Sequence, residues 1–331
     1  MGIGAHENLD RQSVHFYSGP DERGGDEPGF YVSMLEQDVQ LGLIPIGGRI
    51  RKTDQTCVRL LSGAGEAPPE LQERVASAMA TDRDPLSSAV AERVNQTGAV
   101  IVAHGRAVYE LAYYKRDLTP VGFILLYLDP RFVEEKRGAF VQRVPRGTQL
   151  PRDSIQEAPT VLEQDEVRPL AADRVFTIGW PSEYRKGPRW LRRLSWLGGT
   201  RYPSFLVDNL TRPQGSRVPF DFDALREAHD RALGAVTAGL GWNARGSFDK
   251  MQTSYYFCLR DLRFRRFQVV LRDRIVRGLN EALTRAGRIL GFDARLSVEG
   301  LPTVADIDRA ERMLAEGKLS YKDLLNRFSL Y

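Results

Sequence analysis

Residues 249–291 constrain this chain more than any other stretch, because apolar side chains recur there three and four apart across some ten helical turns. Leu262, Phe264, Leu271, Ile275, Val276, Leu279, Ala282 and Leu283 share one face. A helix from about Gln252 to Ala286 would be on the order of 50 Å long. At roughly 100° per residue, Arg263, Arg266, Arg274, Arg277, Arg285 and Arg288 fall within an arc about 100° wide, away from most of that apolar face. A rod with one apolar side and one arginine-striped side is suited to packing on protein while turning charge toward an anion such as nucleic acid. A plainer reading is open as well. Asp273 precedes Arg277 by four and Glu281 precedes Arg285 by four, the spacing of ordinary helix ion pairs, and arginines also serve subunit interfaces.

At 331 residues the chain has room for two or three domains. Lys and Arg number 47 against 43 Asp and Glu, a formal charge of +4, so the placement of charge matters more than its sum. Two cysteines in apolar contexts and four scattered histidines argue against a disulfide framework or a zinc site and for a reducing compartment. No apolar run reaches the ~18–20 residues of a membrane span. The glycine-rich, polar start has no signal-peptide core, which predicts a soluble chain of the cytoplasm.

Residues 1–29 hold six glycines and two prolines and read as a flexible arm, ordered only where a partner orders it. Helices are expected over Tyr31–Leu43, Pro69–Ala80 and Pro85–Gly98, with a strand over Arg49–Leu61. A β-rich block follows. Ala99–Lys115 carries two apolar runs hinged at Gly105; Val121–Asp129, Phe140–Val144 and Arg174–Trp180 are further strands, and an acid- and proline-rich connector spans Pro145–Pro169. Arg189–Gly198 forms a short basic amphipathic helix, Thr200–Phe220 is broken by three prolines, and Asp221–Gly239 resumes helix. Near the end, Thr303 with Asp306 and Ser320 with Asp323 fit the hydroxyl-x-x-acid helix start, and Gly317 sits at a helix stop. Helices are therefore expected near 304–316 and 321–328.

Few residues look catalytic. There is no phosphate-cradling glycine loop, no nucleophile elbow and no His-Glu-x-x-His. Asp117 upstream of Glu134-Glu135-Lys136 has the loose spacing of a metal-dependent nuclease, although Glu134–Gly138 reads better as a solvated turn. Asp82-Arg83-Asp84 offers two carboxylates to an ion, or simply leads into a helix at Pro85. The terminal helix pair is a weak match to a DNA-reading helix-turn-helix, presenting only Lys322, Asn326 and Arg327, and is better suited to packing. The pairs Tyr113-Tyr114 and Tyr255-Tyr256 suit either base stacking or a core.

Five stretches together resemble the portal (connector) proteins of tailed bacteriophages and prophages. They are Met34–Gly42, an acidic stretch opening a helix; Gly105–Tyr114, a glycine followed by alternating aromatic and Glu positions; Leu128–Val133 with its Pro-Arg; the Arg/Phe-rich Arg260–Leu283; and Glu299–Tyr331, with a Leu-x-x-Gly-x-Leu-Ser turn at Leu314–Ser320. The resemblance implies an α+β, portal-like fold with a flexible arm over 1–29, an α/β wing-like domain over 30–198, a short stem/clip-like region over 199–250, and the long helix with C-terminal helices, wing- or crown-like, over 251–331. It implies a homo-oligomeric ring of twelve at one capsid vertex, a conduit for double-stranded DNA during packaging and ejection, with terminase, the major capsid protein and head-tail adaptor proteins as partners. The expected location is the virion, and the host cytoplasm during assembly. No catalysis, cofactor, metal or membrane contact is implied, and the six arginines become candidates for the channel or the subunit interface. The chain is short for that family, and 199–250 departs from it in being compact and proline-broken.

Overall fold

The computed structural model describes residues 8–14, 29–49, 55–63, 65–79, 85–148, 161–199, 222–245, 253–320 and 322–324. The fold is α+β, with open antiparallel sheets packed among helices. Its longest element is helix α6, Ser254–Leu290, preceded by Thr253, whose hydroxyl accepts from the Tyr256 amide, and closed by Gly291 in the left-handed region. The other helices are α1 (Phe30–Gln40), α2 (Pro69–Met79), α3 (Leu86–His104), α4 (Gly187–Gly199), α5 (Phe222–Leu240) and α7 (Val304–Ala315).

The central sheet is built on β4 (Arg106–Arg116), which pairs with β5 (Thr119–Leu128) along one edge. The other edge is shared: β9 (Val175–Gly179) covers Arg106–Glu110, and β1 (Asn8–Asp10) covers Tyr113–Lys115. A second sheet joins β6 (Val133–Lys136), β7 (Ala139–Val144) and β8 (Glu166–Leu170), and a third joins β10 (Arg295–Val298), β2 (Val58–Ser62) and β3 (Gly65–Glu66).

One large apolar cluster holds α1, α3, the central sheet, α4, α5 and the middle of α6 together, so it crosses the boundary expected at residue 250. Phe267, Leu271, Ile275, Leu279, Ala282, Leu283 and Ala286 are the α6 residues fully buried in it. A smaller cluster sits at the other end of α6. Cys258, Leu262 and Val269 meet Ile307, Ala310 and Leu314 of α7 and then Leu319 and Leu324 of the tail. Of the apolar face expected for α6, Phe264 and Val276 are half-buried and the other six residues are buried.

Several expectations are corrected. Helix α3 does not stop at Gly98 but runs to His104, so Ala99–His104 is helix, not strand. Gly98 marks a close approach to the end of α1 and the turn after it: a Cβ there would lie 3.0 Å from the Val39 side chain and 2.4 Å from that of Leu43. Gly105 is the cap that ends the helix. The turn expected over Glu134–Gly138 is largely β6, and only Arg137 and Gly138, both at positive φ, form the two-residue hairpin loop to β7. Strand β8 lies inside the expected connector, and β10 has no counterpart in the sequence reading; both are short strands that gain their order from pairing partners far away in the chain. The strand expected from Arg49 begins only at Val58, after an isolated bridge between Arg49 and Thr56. The proline-broken stretch Thr200–Phe220, the acids at 82 and 84 and most of the expected last helix lie outside the described residues, which keep only a helical turn at 322–324.

The N-terminal arm is also corrected over residues 8–14, which this chain itself orders. Glu110, wholly buried on β4, faces the gap between β9 and β1 and accepts the Gln12 amide at 2.6 Å, the Ser13 amide at 2.9 Å and the Ser13 hydroxyl. Gln142 of β7 exchanges two hydrogen bonds with the Val14 backbone, at 2.8 and 2.7 Å. Asp10 binds Arg174 and Lys115, each at 2.8 Å. A carboxylate buried without donors is costly, so the strap and Glu110 stabilise each other.

Two predictions follow from this packing. Gly241 ends α5 at φ +75°, where a Cβ would sit 2.3 Å from the Phe264 amide nitrogen and 2.4 Å from the Arg260 carbonyl oxygen. Gly241→Ala is therefore expected to cost about 3 kcal/mol in denaturant unfolding, from left-handed strain and a backbone clash together. Arg174 foremost, with Lys115, holds the Asp10 carboxyl at about 2, below its ordinary 3.8. Because the folded value is depressed, the pair's contribution is present above pH ~4 and disappears as pH falls toward 2. Asp10→Asn should thus lower stability by up to about 2 kcal/mol at pH 6, and the gap from wild type should close across that acid window.

Candidate nucleic-acid interface

The six arginines predicted to line one side of α6 take different roles once the helix is packed. Arg266 ion-pairs with Asp308 of α7 at 3.0 Å and donates to the Tyr184 hydroxyl at 3.3 Å, bracing α7 and the turn after β9 against α6. These two partners raise the Arg266 pKa, Tyr184 first and Asp308 second. Arg285 donates to the backbone carbonyls of Val175, at 3.0 Å, and Asp173, at 3.4 Å, so it satisfies the start of β9. Arg263 is half-buried beside the end of α5. Arg274, Arg277 and Arg288 are exposed.

The ion pairs expected from i,i+4 spacing do not form. Asp273 accepts from Arg272 at 3.0 Å, not from Arg277, and Arg285 turns to the sheet instead of to Glu281. Among the described residues Arg274, Arg277 and Arg288 make no ion pair. Arg274 and Arg277 instead line an open cleft of about 240 Å³, opposite Trp180, Ser182 and Glu183, with Asp273 on the same wall. Two guanidiniums near two carboxylates can meet a passing phosphate without forming a deep anion trap. Arg288, in the last turn of α6, sits where a cation also favours the helix dipole.

Sequence reasoning missed Arg272, which is only 5% exposed. It donates to Asp273 and, at 2.9 Å, to the Pro302 carbonyl, tying α6 to the segment before α7. A signal was available, because Arg272 falls inside the apolar arc, three before Ile275 and four after the buried Gln268. Glu110 was missed in the same way: it lies in a β-strand run whose neighbours are all apolar or aromatic.

The nuclease pattern is not assembled. Asp117 sits in the β4–β5 hairpin, at the far end of the ten-residue β5 from β6, which puts it some ~30 Å away along the strand. Glu134 is engaged by Lys136 at 2.8 Å and Arg143 at 2.7 Å, so the lysine that would steady water holds a carboxylate instead. Among the described residues no three His, Cys, Asp or Glu side chains are grouped to hold a metal, and no helix is long and apolar enough to cross a membrane.

The described residues after α7 are held by packing. Leu319 and Leu324 are buried against α6, and Lys322 is exposed, while Asn326 and Arg327 lie outside the described residues. The Thr303 start forms a complete capping box, and Ser320 and Asp323 exchange the same bonds. Tyr113 is buried, with Arg174 over its ring at 5.6 Å, and burial pushes its hydroxyl up to about 12; Tyr255 and Tyr256 are exposed at the start of α6. Both cysteines are free and buried, and burial pushes the Cys57 thiol up to about 11. Compared with known protein families and with curated proteins, the chain matches none.

The division within the stripe can be measured. Arg285→Ala should lower unfolding stability by about 1–2 kcal/mol, since it strands two carbonyls at the edge of β9. Arg288→Ala should stay within about 0.5 kcal/mol of wild type.

Proposed function

We propose that the chain is a portal-like subunit: a wedge in a homo-oligomeric ring of about twelve copies at a capsid vertex, through which double-stranded DNA passes. The observation that carries the reading is α6 itself, a 37-residue helix bound to the body along one face while Arg274, Arg277 and Arg288 stay exposed and free of ion pairs among the described residues. A conduit has to tolerate a polyanion without gripping it. Exposed guanidiniums interleaved with carboxylates do this, whereas a base-reading module would stall movement. The stretches that resemble portal proteins also fall on coherent elements: Gly105–Tyr114 on the central strand β4, Leu128–Val133 on the link from β5 to β6, Arg260–Leu283 on α6, and Leu314–Ser320 on the turn after α7. A ring needs two different contact surfaces per subunit. In this role the chain makes and breaks no bonds; its partners would be duplex DNA, terminase, the capsid protein and head-tail adaptors, and its place the virion.

Mass photometry and negative-stain imaging of the purified chain test the assembly. Hollow particles near twelve times the 37.3 kDa subunit are expected, and a population that stays at one subunit up to micromolar concentration removes the proposal. The arginines are tested by Arg274→Glu with Arg277→Glu. Rings should persist, while weak duplex retention falls and its log–log salt slope shrinks by about two. Loss of the rings instead would assign these arginines to the subunit contact and not to the channel.

A further inference from the structure

Helix α4 carries a second basic face, separate from the stripe on α6. Its buried side, Leu191, Leu194 and Leu197, packs into the main core against α1 and α5. The opposite side presents Arg189, Arg192, Arg193 and Trp196, which share one helical face at spacings of three and four and are all exposed. Arg185 and Lys186, just before the helix, extend the cationic run and are exposed as well. Trp196 is 70% exposed, the most exposed aromatic among the described residues.

We propose that this face binds single-stranded nucleic acid, with the arginines on adjacent phosphates and the Trp196 indole stacked on an unpaired base. Three observations select that occupant. First, none of the five cations is ion-paired among the described residues; the one contact found there is a long 3.4 Å bond from Arg192 to the Pro188 carbonyl within the helix. Second, the exposed indole of Trp196 stands on the same helix face as Arg189, Arg192 and Arg193, a flat π surface among cations on which a nucleobase can stack. Third, the apolar side of α4 is buried, so the helix cannot lie in a lipid surface on it.

Arg189 and Arg193 are about 6 Å apart along the helix axis, a span that covers neighbouring phosphates of one strand. An indole standing among guanidiniums is a stacking platform, and a base inside a duplex presents no open face to it. The arrangement therefore favours unpaired bases over duplex. It does not rest on the ring reading, because a single subunit carries the whole face.

The test is fluorescence anisotropy of a labelled dT20 oligonucleotide with the full-length chain, alongside intrinsic tryptophan emission. Binding should weaken with a log–log salt slope near −2 to −3, at about 0.7 per phosphate contacted. Arg192→Glu with Arg193→Glu should reduce affinity at least tenfold. Trp196→Ala should reduce it about tenfold, and Trp196→Phe should restore most of it while abolishing most of the emission quenching. A duplex of equal length should compete at least tenfold less well than dT20. Circular dichroism of each variant should match wild type, because every substituted side chain is exposed. The proposal is overturned if wild type fails to bind dT20 at low salt. It is equally overturned if duplex competes as well as dT20 and Trp196→Ala binds like wild type, or if Arg192→Glu with Arg193→Glu changes self-association and leaves oligonucleotide binding intact.

Discussion

Helix α6 can be 37 residues long only because two apolar surfaces bury it, one after the other. Its first turns close the small core with α7 and the tail, and its remaining turns run through the main core against α3, β9 and α5. In water most of the stability of such a helix comes from packing of this kind and not from propensity. The two clusters therefore communicate through one rigid element. Whatever touches the exposed side of α6 is held in place by nearly everything else in the molecule.

Polar groups buried around this frame determine how the remaining pieces attach. Glu110 and Gln142 define where the N-terminal strap lies, by aiming acceptors and donors at the backbone of residues 12–14. Arg272 does the same for the segment before α7, and Asn95 exchanges two bonds with the Ile44 backbone where α1 turns toward α3. Each of these side chains would be destabilising if left alone, and each is paired with main chain from a distant part of the sequence. Apolar burial supplies cohesion, and these few bonds supply position.

Charge is distributed by the same logic. Cations that pair internally, such as Arg266 and Arg285, stitch elements together. Among those that remain exposed, two groups share a face, one on the cleft side of α6 and one on the outer face of α4. On α6 the arginines are interleaved with carboxylates, which suits contact without retention; on α4 they stand with a tryptophan, which suits binding. The proposed conduit and the proposed single-strand platform use the same residue type for opposite purposes, and the neighbours make the difference.

The sequence by itself determined the helices whose signals are local. The apolar period of α6, the Thr303–Asp306 box and the Pro69 start of α2 all belong to residues within a few positions of one another, and the structure places them within a few residues of where they were expected. It also carried the strands β4, β5, β7 and β9, whose apolar runs are long enough to stand out. Only the tertiary structure decided that Gly98 is a contact and not a helix end, that β1, β8 and β10 exist, and that Arg274 and Arg285 belong to different categories. The physical reason is common to all of them. Short strands, buried ion partners and close approaches take their energy from residues far away in the chain, and no window of neighbouring letters contains both members of the pair.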